Sequence, residues 1–261
     1  MRIDKSCKIT EKELIAHGTG DIYSVWLDCP ELAEEVRPGQ FADIRCGSFT
    51  LRRPISICEK SANGIRLVFE VRGEGTEWLA GRETGGTLDL LAPLGNGFEL
   101  ISGANALLIG GGIGVPPLLE LAKYYGNSAS AALGFRHGGA VILERDFAAR
   151  CETVIATEDG SCGVRGYVSA AAEKLAEARR PDIIYACGPA PLLKYAAGLA
   201  ERLGIRCQLS LEQRMGCGVG ACLACVCKTM FVGNDGAVGE KYKRVCVDGP
   251  VFNAKEVIFN G

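Results

Sequence analysis

Three cysteines stand close together near the end of the chain. Cys217, Cys222 and Cys225 follow a Cys-x4-Cys-x2-Cys spacing, and Cys246 comes later. Thiolates in this spacing, completed by a fourth, hold a [2Fe–2S] cluster. Gly216, Gly218 and Gly220 are interleaved with them. A chain that wraps a cluster closely needs positive φ angles and no Cβ in the way, and its freed amides can then point at sulfur and tune the potential. A structural zinc site would use the same thiolates but is usually built from paired Cys-x2-Cys knuckles. Iron–sulfur is therefore the stronger reading. The fourth ligand is less defined: Cys227 is closer in sequence, while Cys246 closes a cage if a second segment returns. Gly233-Asn234-Asp235-Gly236 reads as the hairpin turn that returns it.

A second set of residues could hold phosphates. Leu51-Arg52-Arg53-Pro54-Ile55-Ser56 offers a forked, charge-assisted contact from Arg53 and a hydroxyl from Ser56 to a pyrophosphate. The plainer reading is an edge strand with a solvated arginine. Gly73-Glu74-Gly75-Thr76 precedes a short helical run, Thr76 to Ala80. Amides there favour an anion, unless Thr76 is simply an N-cap. Further on, the apolar run Ala106 to Ile109 enters Gly110-Gly111-Gly112-Ile113-Gly114-Val115-Pro116-Pro117 and then a helical run, Leu118 to Tyr125. Strand, glycine turn and helix make a dinucleotide-binding unit, and prolines suit a first helical turn. Cys187-Gly188-Pro189 ends another apolar strand, 182–186. By itself Cys187 reads as a small buried residue.

The elements that must carry these motifs fall into three regions. Residues 1–100 contain short strand-like runs at 22–27, 40–46, 65–71 and 87–91, broken by Gly, Pro and Asn. They predict a small antiparallel barrel. Residues 101–210 alternate strands (106–109, 129–135, 182–186, 205–209) with helices (118–125, 168–178, 191–203). That alternation predicts a Rossmann-like parallel sheet with nucleotide at the strand C-terminal ends. Residues 211–261 form a small cluster-binding segment. The expected fold class is thus multi-domain, β plus α/β.

Composition narrows the function classes. The 261 residues are 48% hydrophobic with 35 glycines, and the net charge of −2 gives no bulk attraction to nucleic acid. Thirteen cysteines would suggest disulfides in a small secreted chain. Here Met1-Arg2-Ile3-Asp4-Lys5 lacks an apolar leader pattern, and no apolar run reaches membrane-spanning length. A cytoplasmic protein is expected, with four cysteines on metal and the rest mostly buried.

Taken in order, the barrel with Arg-Pro-Ile-Ser, the glycine turn, Cys-Gly-Pro and the cysteine segment resemble the electron-transfer subunits of dihydroorotate dehydrogenase B, within the ferredoxin–NADP reductase superfamily. The resemblance covers essentially the whole chain. It is most specific at 212–225 and 245–252. It implies FAD on Arg53, Pro54, Ile55, Ser56, Val68, Phe69, Glu70, Gly75 and Thr76. It implies NAD on Gly110, Gly111, Gly112, Ile113, Gly114, Gly188 and Pro189, with Cys187 beside the nicotinamide as the catalytic residue. The cluster ligands carry over as Cys217, Cys222, Cys225 and Cys246. Ile55 stands where many members carry an aromatic residue. Phe69-Glu70 replaces a frequent Tyr-Arg pair, with Arg72 as a substitute cation. The interval to Cys246 is longer than usual, which an enlarged hairpin from Met230 to Glu240 would explain. The resemblance also implies a partner, an FMN-containing dihydroorotate dehydrogenase catalytic subunit in a dimer of heterodimers, whose electrons reach NAD+ through the cluster and FAD in pyrimidine biosynthesis. No nucleic-acid or membrane partner is expected. Lys241, Lys243 and Arg244 flank Cys246 and offer docking charges, although such clusters are more often a solvated face. Two alternatives remain. One is an NAD(P)H-linked reductase subunit serving ferredoxin, sulfide or sulfite chemistry. The other is a non-enzymatic metal or redox sensor.

Overall fold

A computed structural model describes residues 3–233 and 236–259. The first region runs β1 (Ile3–His17), β2 (Asp21–Asp28), α1 (Pro30–Glu35), β3 (Phe41–Arg45), β4 (Arg53–Lys60), β5 (Gly64–Glu70), α2 (Glu74–Ala80) and β6 (Thr87–Leu94). The six strands close into a barrel in the order β1-β2-β5-β4-β3-β6, antiparallel throughout. Each strand therefore has a neighbour on both sides. Alternation sets the two faces: Leu88, Leu90 and Ala92 of β6 point inward and join Ile44, Leu67 and Phe69 in the barrel core. β1 escapes a reading by pattern because its charged residues mask the alternation and its pairing with β2 slips register twice.

The second region runs β7 (Ala106–Gly111), α3 (Leu119–Tyr125), β8 (Ala129–Phe135), α4 (Glu144–Ala148), β9 (Glu152–Thr157), β10 (Val164–Arg165), α5 (Val168–Ala178), β11 (Ile183–Cys187), α6 (Ala190–Leu203) and β12 (Arg206–Ser210). These strands pair in parallel in the order β10-β9-β8-β7-β11-β12. β7 and β11 are buried along their whole length, as a sheet covered on both faces requires. α5 buries Val168, Ala171, Ala172, Leu175 and Ala176, a helical i, i+3, i+4 stripe. α6 stops at Gly204, whose φ of +67° ends the helix without strain.

The last region departs from expectation in one respect. β13 (Val226–Val232) and β14 (Val238–Arg244) form the expected antiparallel hairpin; the tip, Asn234-Asp235, lies outside the described residues. The chain then returns, and β15 (Val251–Asn253) adds antiparallel to β12. The sheet is therefore mixed, because residues after Cys246 supply its edge. Val251-Phe252-Asn253 can do this because alternation turns Phe252 into an apolar cluster with Phe41, Leu94, Cys225, Val245 and Cys246.

Barrel and sheet share a core in which Ile22, Cys58 and Val68 meet Leu118, Phe135 and Phe147. Arg66 of β5 bonds Glu59 of β4 (2.9 Å) and, across the same boundary, Asp146 of α4 (3.0 Å). The Tyr185 hydroxyl donates to the Glu99 carbonyl at 2.8 Å, tying β11 to the connection out of the barrel. Among the described residues no helix is long and apolar enough to cross a membrane.

Candidate functional site: a cysteine cage, a parted ladder and a nucleotide cleft

The cysteine loop bends where glycine was expected to let it. Gly218 and Gly220 have φ of +65° and +85°, and Leu223 also takes a positive φ, +58°. The four cysteines come together as two pairs. The Cys222 amide donates to Cys217 Sγ and the Cys246 amide to Cys225 Sγ, each at 3.4 Å. Cys225 and Cys246 are buried and Cys222 is exposed. Burial opposes ionisation of Cys217, yet the amides of Val219, Cys222 and Ala221 together with the Cys222 thiol bring it down to about 7. Burial, aided by the neighbouring Cys225 thiol, pushes Cys246 up to about 12, so a metal binding this pair must displace a proton. Cys227 lies on β13 opposite Lys243, outside both pairs.

The segment bearing Cys246 is fixed from two sides. Asp248 accepts from the Arg244 amide (2.7 Å) and Nε (3.1 Å). Asn96, in the turn leaving the barrel, donates from Nδ2 to the carbonyls of Val247 (3.1 Å) and Asp248 (3.2 Å). The cations considered for docking are engaged: Lys243 pairs with Glu256, Arg244 with Asp248, and Lys241 lies over the Phe231 ring. Among the described residues no three His, Cys, Asp or Glu side chains converge as a single-ion metal site. A [2Fe–2S] cluster asks for something else, two thiolates on each of two irons, and the two cysteine pairs fit that demand.

The second feature is a gap in the barrel wall. Pairing of β4 with β5 runs from Lys60↔Ile65 to Ile57↔Leu67 and stops. Arg53–Ser56 and Val68–Glu70 lie beyond the last ladder pair, so their facing edges make no ladder bonds to each other. The side chains there sort differently from one another. Phe69 is inside the barrel, stacked on Tyr23 at 5.8 Å, and Val68 is in the core shared with the sheet. Only their backbone can reach a ligand. Ile55 leans on the barrel core. Arg53 lies over Phe49 and against Gly75, where any Cβ would strike its guanidinium.

Two details correct the reading of this region. α2 begins at Glu74 with Gly73 as its cap, two residues before the expected start. Thr76 is in the first turn, and its hydroxyl accepts from the amides of Arg72 (2.8 Å) and Gly73 (3.1 Å). Glu70 accepts from the amides of Thr19 (2.8 Å) and Gly20 (3.3 Å) and from Arg72 Nε (2.6 Å). Burial alone would raise its carboxyl, but Arg72 and the two amides hold it below the usual range. Arg72, considered as a free phosphate partner, is therefore already engaged by Glu70.

The third feature is a cleft of about 580 Å³ between barrel and sheet, walled by the Gly18-Thr19 loop, Glu70, Arg72, the glycine turn and the starts of α5 and α6. The two sequence motifs meet here because β7 and β11 are neighbours, with Gly110 opposite Cys187. Gly114 packs so tightly on the Cys187–Gly188 backbone that no Cβ would fit, and Gly112, at φ +52°, opens onto free space. Pro189 lines the cleft, whereas Cys187 is 3% exposed behind it. Burial, with Glu212 adding to it and Ser210 opposing, pushes the Cys187 thiol up to about 12, so it stays protonated. Sequence reasoning missed Thr19, Tyr195 and Glu212 as lining residues. They lie in a loop, a helix and the connection after β12, and no local pattern links them. Arg136, just after β8, also lines the cleft and donates to Thr19 Oγ1 at 3.3 Å.

Comparisons with known proteins agree with this geometry. A family model described as the iron-sulfur cluster binding domain of dihydroorotate dehydrogenase B matches residues 212–258. The chain is 44% identical to the dihydroorotate dehydrogenase B (NAD(+)) electron transfer subunit of Bacillus caldolyticus, over 96% of each chain. It is 39% identical to that of Fusobacterium nucleatum, over 98% of this chain and 99% of the relative. Among solved structures it resembles a chain of an NADH-dependent reduced ferredoxin–NADP oxidoreductase, with a TM-score of 0.83 and 31% identity over 97% of this chain and 89% of that one. The FAD/NAD-binding domain of a nitric oxide dioxygenase from Vibrio cholerae reaches a TM-score of 0.64 at 20% identity, covering 78% of this chain and 95% of that one. At that identity the likeness is one of fold.

Proposed function

This chain belongs to the family of dihydroorotate dehydrogenase B electron-transfer subunits, and on that premise we propose how its three regions divide the work. Its role is oxidoreductase electron transfer linked to NAD+, in the setting of dihydroorotate oxidation for pyrimidine biosynthesis. When bound, a [2Fe–2S] cluster exchanges single electrons, nicotinamide takes a hydride, and a flavin handles both, so FAD belongs between them.

Cys217, Cys222, Cys225 and Cys246 would hold the cluster as two pairs of thiolates. The parted ladder holds FAD: Arg53 supplies charge to the pyrophosphate, Ser56 a hydroxyl, and the backbones of Val68, Phe69, Glu70, Gly75 and Thr76 supply polar contacts. NAD occupies the cleft on Gly110–Gly114, Gly188 and Pro189, where the absence of Cβ atoms lets a cofactor approach the main chain. Cys187 stands behind the nicotinamide position as a neutral, apolar-sized wall. The partner is an FMN-containing catalytic subunit, in a cytoplasmic dimer of heterodimers. It would meet the edge where Cys222 and Leu223 are exposed.

The observation that carries this reading is the two-pair cysteine arrangement seated on the outer face of the barrel through Phe41 and Leu94. The likeness to the ferredoxin–NADP oxidoreductase chain favours one rival, a subunit of the same build serving ferredoxin. An anaerobic assay separates them: the chain is co-purified with the FMN subunit, dihydroorotate is added and NAD+ reduction followed, with the chain alone as control. Activity is expected only in the complex. Cys222→Ser is expected to abolish it while leaving dihydroorotate oxidation with an artificial acceptor intact; full retention of NAD+ reduction in that variant would refute the relay.

A further inference from the structure

Side chains alternate between the two faces of the β13–β14 hairpin. Cys227, Thr229 and Phe231 of β13 share one face with Lys241 and Lys243 of β14. The base of this face meets the end of the chain. Thr229 is buried and its backbone bridges to Val257, the Ile258 amide donates to the Lys228 carbonyl at 3.1 Å, and Lys243 pairs with Glu256. Val226, Met230, Tyr242 and Val238 belong to the other face, and each is between 37% and 70% exposed. The charges interspersed with them are neutralised, Lys228 by Glu240 at 2.7 Å and Arg244 by Asp248 at 3.1 Å. The strip starts one residue after Cys225 and, at about 3.4 Å per residue, extends roughly 20 Å along β13. Leu223, also exposed, continues it along the chain to Cys222.

A solvated strand face carries polar residues, and a chain that works alone rarely leaves a continuous apolar strip bare. Tyr and Met among neutralised charges are the make-up of an interface core. The occupant follows from position. Electrons that enter one at a time do so where the cage reaches the surface, at Cys222, so the group that donates them is held by a chain covering that edge. The strip begins at the same edge. Resting on the assignment of an FMN-containing partner subunit, we propose that the outer face of β13–β14 is its docking surface, an apolar arm that grips the subunit beside the point of electron entry. The surface it fits is itself apolar and weakly charged, because a charged one would be desolvated against Tyr242 and Val238 without a counter-charge. Affinity along this arm is therefore expected to change little with salt.

The test titrates the full chain, carrying its cluster and FAD, with the FMN subunit. Val238→Glu and Tyr242→Glu place a charge at exposed positions, where no cavity opens. Each is expected to weaken the complex about tenfold or more, while iron content, FAD content and NADH oxidation with an artificial acceptor match the parent. Dihydroorotate-driven NAD+ reduction should fall at dilute, equimolar subunits and recover when the FMN subunit is in excess. Leu14→Glu, the same change at an exposed position on β1, should leave affinity unchanged; equal weakening there would overturn the proposal. Leu223→Glu separates the docking arm from the reading beneath it. If Leu223→Glu weakens the complex and the two hairpin variants do not, the partner meets the cysteine edge alone, and the arm is overturned with the partner assignment intact. If the free parent chain is a dimer that Tyr242→Glu dissolves, with affinity for the FMN subunit unchanged, the strip belongs to a second copy and the proposal falls. A parent chain that forms no complex with the FMN subunit defeats both.

Discussion

Glu70 closes β5, and its side chain works on the protein's own loop. Its carboxylate gathers the amides of Thr19 and Gly20 and the guanidinium of Arg72, fastening the loop that walls the nucleotide cleft to the end of β5. Because these partners hold the folded carboxyl below its ordinary value, the contact stabilises the chain above the usual carboxylate range and is lost as pH falls through the depressed folded value. Amide exchange at Thr19 and Gly20 should therefore stay slow at neutral pH and accelerate on acidification. Glu70→Gln should accelerate it at neutral pH and cost roughly 2 kcal/mol of stability, as charged hydrogen bonds of this kind do. The two amides were not legible in the sequence, since they lie some fifty positions away and a loop amide has no signature. The cysteines are the opposite case. The glycines between Cys217 and Cys222 imply positive φ angles locally, and Gly218 and Gly220 adopt them.

At the scale of elements, legibility followed the burial pattern. β7, β11, α5 and α6 are covered enough to show continuous apolar runs or a clean helical stripe, and their spans were readable within about a residue or two. β9 and β10 were not: they lie toward the sheet's other edge, they are short, and exposed positions dilute their pattern. The glycine turn was recognisable as a turn, but its contact with β11 belongs to the tertiary fold. Gly114 has the Cys187–Gly188 backbone where a Cβ would go, and backbone cannot swing aside as a side-chain tip can. Gly114→Ala should therefore part β7 from β11 at their C-terminal ends, cost about 1–3 kcal/mol as overpacking does, and weaken NAD(H) binding by titration while iron and FAD content hold. Unchanged NAD(H) affinity would show that the turn does not shape the cleft.

At the scale of the whole molecule, the small segment 211–261 is sewn into both other regions. Asn96 holds it to the exit of the barrel, and β15 completes the sheet beside β12. Phe252 is 2% exposed and packs with Cys225 and Cys246. Phe252→Ala should cost roughly 3–5 kcal/mol, and the loss should register in two places at once: faster release of iron, and faster amide exchange along β12. Iron loss with β12 unaffected would mean the two are not mechanically joined. Alternation of strands and helices could not foretell this, because a three-residue strand so late in the chain carries no periodic signal. The same arrangement bears on how the protein is made. Translation delivers the barrel and the parallel strands first and β15 last, five residues after the final cysteine. Until that end is seated, β12 is a bare edge with unpaired main-chain groups, the kind of surface on which chains aggregate. A chain truncated before Val251 would then accumulate as insoluble protein rather than as a soluble shortened form.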